Sequence, residues 1–187
     1  MSISVADKIS WKAKWRIWKF HDPDNKIAEF LKNGGSVEDA IKMCQATYGK
    51  HEFLGLDEFE GNTALNEGLQ LLEDIIAGLD TTSNKWDSSN AHLGVGDSNA
   101  SESASQTGLQ GTNKTHEDMD SGYPQRSGQT LKWRSTFDGN TGNHSWQEFT
   151  VVNDTDDSGT NLNRKVADKG TKSSGETWTL ELQITFS

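Results

Sequence analysis

Residues 176–187, "ETWTLELQITFS", decide the fold class. Trp178, Leu180, Leu182, Ile184 and Phe186 alternate with Thr177, Thr179, Glu181, Gln183 and Thr185. A period of two places the first set on one face of a strand and the second on the other. Strands with one apolar and one polar face belong to antiparallel sheets that bury a single side. Two upstream stretches repeat the pattern. "QTLKWRSTF" (129–137) sets Leu131, Trp133 and Phe137 on one face, and "SWQEFTVVN" (145–153) carries Trp146, Phe149 and Val151 with one slip of phase. Turn signals lie between them at Asp138-Gly139-Asn140, Asp157-Ser158-Gly159 and Ser173-Ser174-Gly175.

Moving outward to the N-terminus, Trp11, Ala13, Trp15 and Ile17 alternate with Lys12, Lys14 and Arg16, which predicts another half-buried strand. Trp18 and Phe20 continue one step out of phase, and a bulge is expected there. Residues 21–25, "HDPDN", read as a turn. Two helices follow in the N-terminal half. The first, within 33–49, has Ser36 as N-cap, Asp39 three residues on, an apolar set Val37, Ala40, Ile41 and Cys44, and Gly49 at its end. The second carries Leu65, Leu69, Leu72, Ile76 and Leu79 as one stripe, with Asn62 as the expected cap and Gly78 as the stop. Residues 81–130 are polar and turn-rich, with a short strand at 91–95, and read as long loops over a scaffold. The expected architecture is mainly β: one antiparallel β-sandwich over residues 1–187, with a jelly roll as one compatible arrangement and two short helices. Residues 1–20 form its basic strand or arm, and 21–60 a helix-containing insertion.

Among its 187 residues the chain has seven Trp, 18 Gly and one Cys, with a net charge of −10. With Cys44 alone, neither an intramolecular disulfide nor a cysteine zinc site can form, and Cys44 is expected as a small buried apolar group. The acidic balance argues against nucleic acid as a partner. The charge is uneven: Lys8, Lys12, Lys14, Arg16 and Lys19 stand against Asp7 in the first twenty residues, a net of +4 that leaves −14 for the rest. A basic strand on an acidic body is a candidate docking surface, although a solvated strand face gives the same pattern. No apolar segment reads as a signal peptide or a membrane span, so synthesis in a cytoplasm without export and no membrane partner are expected.

Motifs for chemistry fail their contextual tests. In "AHLGVGDSN" (91–99), Gly94-Val95-Gly96 lacks the third glycine and the helix of a dinucleotide loop. "NDTDDSG" (153–159) offers alternate oxygens, yet the twelfth position of a calcium loop, counted from Asp154, is Lys165, so a hairpin tip is the favoured reading. The five histidines are scattered. No catalytic, cofactor or metal residue is assigned, and a binding role is favoured over an enzyme. For carbohydrate binding, aromatic rings would need exposure, and Trp86, in a loop, is the best candidate.

The ordered segments "GNTALNEGLQLL" (61–72), "NAHLGVGDSNASESASQTGLQGTNK" (90–114), "MDSGYPQ" (119–125), "LKWRSTF" (131–137), "WQEFTVVN" (146–153), "LNRKV" (162–166) and "GTKSSGETWTLELQITFS" (170–187) resemble a family of tailed-bacteriophage virion proteins. "KWRIWKF" (14–20) matches more loosely, and residues 30–50 fit least. The resemblance implies a non-enzymatic component of the particle. Its leading form is a capsid decoration, or cement, protein on the outer capsid surface. Its partners would be the major capsid protein lattice and neighbouring copies of itself, a homotrimer being one arrangement. A tail, baseplate or fibre component, with a glycan-binding role in host recognition, is the alternative. Lys8, Lys12, Lys14, Arg16 and Trp86 are the candidate contact residues.

Overall fold

The computed structural model describes residues 10–81 and 84–187. The strands are β1 (Trp11–His21), β2 (Phe53–Glu60), β3 (Thr63–Ala64), β4 (His92–Gly96), β5 (Lys114–Asp118), β6 (Gln125–Ser127), β7 (Thr130–Phe137), β8 (Glu148–Val152), β9 (Asn161–Val166) and β10 (Glu176–Phe186). Three helices, α1 (Lys26–Lys32), α2 (Val37–Thr47) and α3 (Asn66–Ala77), complete the described residues. The strands form two five-stranded antiparallel sheets of order β2-β1-β10-β7-β6 and β3-β9-β8-β4-β5. The fold is therefore a β-sandwich, with ten strands where a jelly roll has eight.

Apolar alternation builds the core between the sheets. Trp15 and Ile17 of β1 pair with Leu182 and Leu180 of β10, and β10 places Trp178 and Leu182 opposite Phe137 and Trp133 of β7. The facing sheet contributes Leu93, Val95, Phe149 and Val151, all fully buried. Aromatic rings fill the middle: Trp146 meets Phe137 and Trp178 edge-on, at centroid distances of 4.7 and 4.9 Å. Edge-to-face packing uses the ring quadrupole and adds about 0.5–1.5 kcal/mol per pair beyond the buried area.

The expected bulge at Trp18 is absent from the β1–β10 ladder, whose register runs unbroken from Trp11–Phe186 to His21–Glu176. The irregularity lies on the other flank, between Lys19 and Phe20 against β2. Trp18 and Phe20 are out of phase because the outer face of this sheet is also covered. They pack with Ile27, Leu31, Val37, Ala40 and Cys44 in a second core beneath α1 and α2. The polar face of β10 is consequently dry at one end, with Thr177 and Thr179 fully buried and Glu181 nearly so. The molecule is helix layer, sheet, sheet.

Two helices were expected and three are found. The added one, α1, follows the predicted turn and has no side-chain cap from its own N-cap residue Asn25. Buried Asp22 serves instead, accepting the Ile27 and Ala28 N–H groups at 3.1 and 2.9 Å and the Thr177 hydroxyl at 2.8 Å. Helix α2 starts as the sequence indicates, with Ser36 Oγ accepting the Asp39 N–H at 3.1 Å.

Helix α3 starts after Leu65 and not at Asn62, and its buried face is rotated from the expected stripe. Leu65, Gly68 and Leu71 are buried, Leu72 and Ile75 pack on the core, and Leu69, Ile76 and Leu79 are exposed. Gly68 sets the rotation. A Cβ there would stand 2.6 Å from Leu162 Cα, so the helix backbone lies directly on β9 at the one residue without a side chain.

Candidate functional site

Because α1 and α2 stop over Trp18 and Phe20, the other end of the outer face stays open. Strand alternation puts Lys12, Lys14 and Arg16 there together, as the sequence indicates, but on an interior strand held by β2 and β10. Register then supplies counter-charges. Arg16 lies opposite Glu58 on one side and Glu181 on the other, with contacts of 2.8 and 3.5 Å. Lys14 Nζ is 2.9 Å from the same Glu58 oxygen. Hydrogen bonds from Lys14 and Arg16 hold the Glu58 carboxyl below its ordinary range. Lys12 is exposed and has no ion pair among the described residues. Lys8 lies outside the described residues.

At the β2 end of this face is a groove between Lys12, Lys14, Glu60, Asn62 and Gln183. Asn62 Nδ2 is buried there without a hydrogen-bond partner. No residue pattern signals this groove, because it depends on where β2 stops beside β1.

Trp86 belongs elsewhere. It is only 8% exposed, donates its indole N–H to Thr160 O at 3.0 Å, and packs in the core between the sheets. Its carbonyl accepts the Trp133 indole N–H at 2.9 Å. A loop position allowed exposure, but the open end of the sandwich needed a ring to close it.

The outer face of the second sheet is covered by the chain itself. Residues 98–111, polar enough to suggest a free surface loop, lie across β8 and β9. Glu148 accepts the Gln110 and Gly111 N–H groups, at 2.9 and 2.6 Å, and Arg164 donates to Ala100 O and Gln106 Oε1, at 3.0 and 3.1 Å. From the hairpin tip Asp157 adds the Leu109 N–H, Lys114 and His116. Gly94 and Gly96 are flat spots beneath this strap. A Cβ on Gly94 would stand 2.6 Å from the His116 ring, and one on Gly96 would collide with the Glu148 carboxyl. Both glycines serve close packing, in agreement with the failed phosphate-loop test.

Beneath α1 lies a second polar cluster. Arg134 donates to Asp120 Oδ2 at 2.7 Å and to the Leu31 and Gly35 carbonyls at 3.0 Å each. Burial pushes the Asp120 carboxyl up to about 6 against the pull of Arg134. Lys172 is almost wholly buried and donates to Asp138 O and Asn143 Oδ1, and burial brings its amine down to about 8. These groups pin loops to sheets, so their perturbed protonation accompanies structural bonding. Among the described residues no group of three or more histidine, cysteine or acidic side chains converges on a metal position, and no helix is long and apolar enough to cross a membrane.

No protein-family profile, curated protein or solved structure matches the chain.

Proposed function

We propose that this chain is a structural protein of a tailed-phage particle, a decoration protein that docks on the major capsid protein lattice at the outer capsid surface and reinforces the head. The observation that carries the reading is the distribution of cover. One outer sheet face lies under α1 and α2 at one end, the other lies under the strap, and a charged patch bearing Lys12, Lys14 and Arg16 is left open. Adjacent 11-residue strands β1 and β10 in one sheet, backed by the aromatic core, make a stiff platform for such a patch. The ordered segments that resemble phage virion proteins support the same role. Lattice binding multiplies modest contacts, because each site engaged raises the effective concentration at the next. The mechanism is reinforcement by bridging: Lys12, without an ion pair among the described residues, meets acidic capsid surface, beside Lys14 and Arg16, which Glu58 and Glu181 hold in place.

Quantitative mass spectrometry of purified virions tests this reading. Copies in the hundreds place the protein on the head, and a handful per particle places it in the tail or neck. A salt series on the same virions should release the protein as ionic strength rises and the Debye length shrinks. Attachment indifferent to salt overturns the charged docking surface.

A further inference from the structure

We propose that the groove beside Trp11–Ala13 accepts an extended, carboxylate-bearing segment of the partner protein as an added β-strand. The inference rests on the docking surface above and names how the partner engages it. Ser10 and Ser187 exchange both backbone hydrogen bonds, each 2.9 Å, so Ser10 directs its N–H and C=O toward the β10 side. One residue on, Trp11 directs its own to the opposite side, and so does Ala13.

That side is where β2 runs, and β2 ends too early to fill it. The last β1–β2 pair is Lys14–Glu60. One more bond closes the ladder, from Gly61 N–H to Ala13 O at 3.0 Å, and Gly61 O takes the Trp15 indole N–H at 3.1 Å. The chain then leaves through Asn62 for β3 of the other sheet. No strand among the described residues pairs with Trp11 or Lys12 on that side. An unpaired sheet edge is a template for another strand.

Donors dominate the walls. The Trp11 and Ala13 N–H groups and the exposed Lys12 ammonium face Glu60 as the one acidic side chain of the lining. An arriving carbonyl or carboxylate gives such edge N–H groups an acceptor. An acidic extended segment satisfies both the edge and the charge, and a basic one satisfies the edge alone.

Fluorescence anisotropy on the full chain tests this with two labelled hexapeptides, one alternating valine and glutamate, the other valine and lysine. The glutamate peptide should bind at least about tenfold more tightly. Ala13→Pro removes one edge N–H and sets a ring carbon in the groove while leaving Lys12 and Lys14 in place. It should weaken the glutamate peptide by about tenfold or more with an unchanged thermal melt. If Ala13→Pro unfolds the chain, Asn62→Asp sets a carboxylate in the groove and should give the same loss. Wild-type affinity in a folded Ala13→Pro, or in Asn62→Asp, overturns strand addition. So do equal binding of the two peptides and sedimentation showing a second copy of the chain in the groove. Salt-sensitive capsid attachment that survives Ala13→Pro would refute strand addition alone and leave the docking role standing.

Discussion

Arg164 Nε lies 2.7 Å from Glu148 Oε2, and neither side chain is exposed to solvent. The two sit side by side on the outer face of β9 and β8, where a sandwich ordinarily meets water. The strap over them makes the position dry, and the pair in turn holds the strap: Glu148 takes its N–H groups and Arg164 its carbonyls. Removing two charges from water costs several kcal/mol per ion, offset here by geometry and by these extra bonds.

Glu148→Gln keeps the shape and removes the counter-charge, leaving Arg164 buried and unpaired. A loss of about 3–5 kcal/mol is expected. Chemical denaturation measures it, and limited proteolysis should cut first within 98–111. The double variant Glu148→Gln with Arg164→Met should recover part of the loss, because neither buried charge then remains. A double variant worse than the sum of the singles would refute this account.

Helix α3 offers a test of its rotated face. Leu71→Ala opens space in the main core and should cost about 2–5 kcal/mol. Ile76→Ala, at a position 85% exposed, should stay within about 0.5 kcal/mol of wild type. The stripe drawn from the sequence predicts the reverse order, so thermal melts of the two variants decide between them.

Asp120 gives a pH dependence with a definite sign. Its carboxyl is raised from 3.8 to about 6, so the folded chain holds this proton more tightly than the unfolded chain does. Its contribution to stability is therefore full below about pH 4 and lost as pH rises through 6. Asp120→Asn removes that slope. The stability of wild type minus that of the variant should fall between pH 4 and pH 7, as followed by urea unfolding. A difference that stays flat or rises contradicts burial as the dominant cause.

Asp22→Ala withdraws the buried acceptor from two α1 N–H groups, the Thr177 hydroxyl and the Tyr48 hydroxyl. Loss of a cap alone costs about 0.5–2 kcal/mol, and the orphaned buried donors raise it further. Amide hydrogen exchange should quicken over 26–32 and leave β8 protected. Uniform quickening would show that the helix layer and the sandwich unfold together.

The strands were legible where one face is apolar and the alternation is long, as in β10 and the first half of β1. Helix α2 was legible because Ser36 and Asp39 mark its start locally. The out-of-phase Trp18 and Phe20 were visible but misassigned, since alternation shows that two faces are apolar without showing what covers the second. Helix α1 was missed because its cap, Asp22, lies outside the helix and is fixed by Thr177 from β10. Of the candidate site, the shared face of Lys12, Lys14 and Arg16 was readable from spacing. Its neutralisation by Glu58 and the groove beside Trp11 depend on register between strands.

By itself the sequence determined a mainly β chain: period-two alternation, turn residues between the runs, and enough aromatic rings to fill a core. Tertiary structure decided which polar faces are wet. Threonine, glutamate and arginine alternate identically whether they meet water or another part of the chain. Their partners here lie far along the sequence: Arg164 reaches Ala100, Arg134 reaches Leu31 and Asp22 reaches Thr177. Apolar burial is written locally, because it follows from the residue's own side chain. Polar burial requires a partner, and only the folded chain brings that partner within hydrogen-bonding distance.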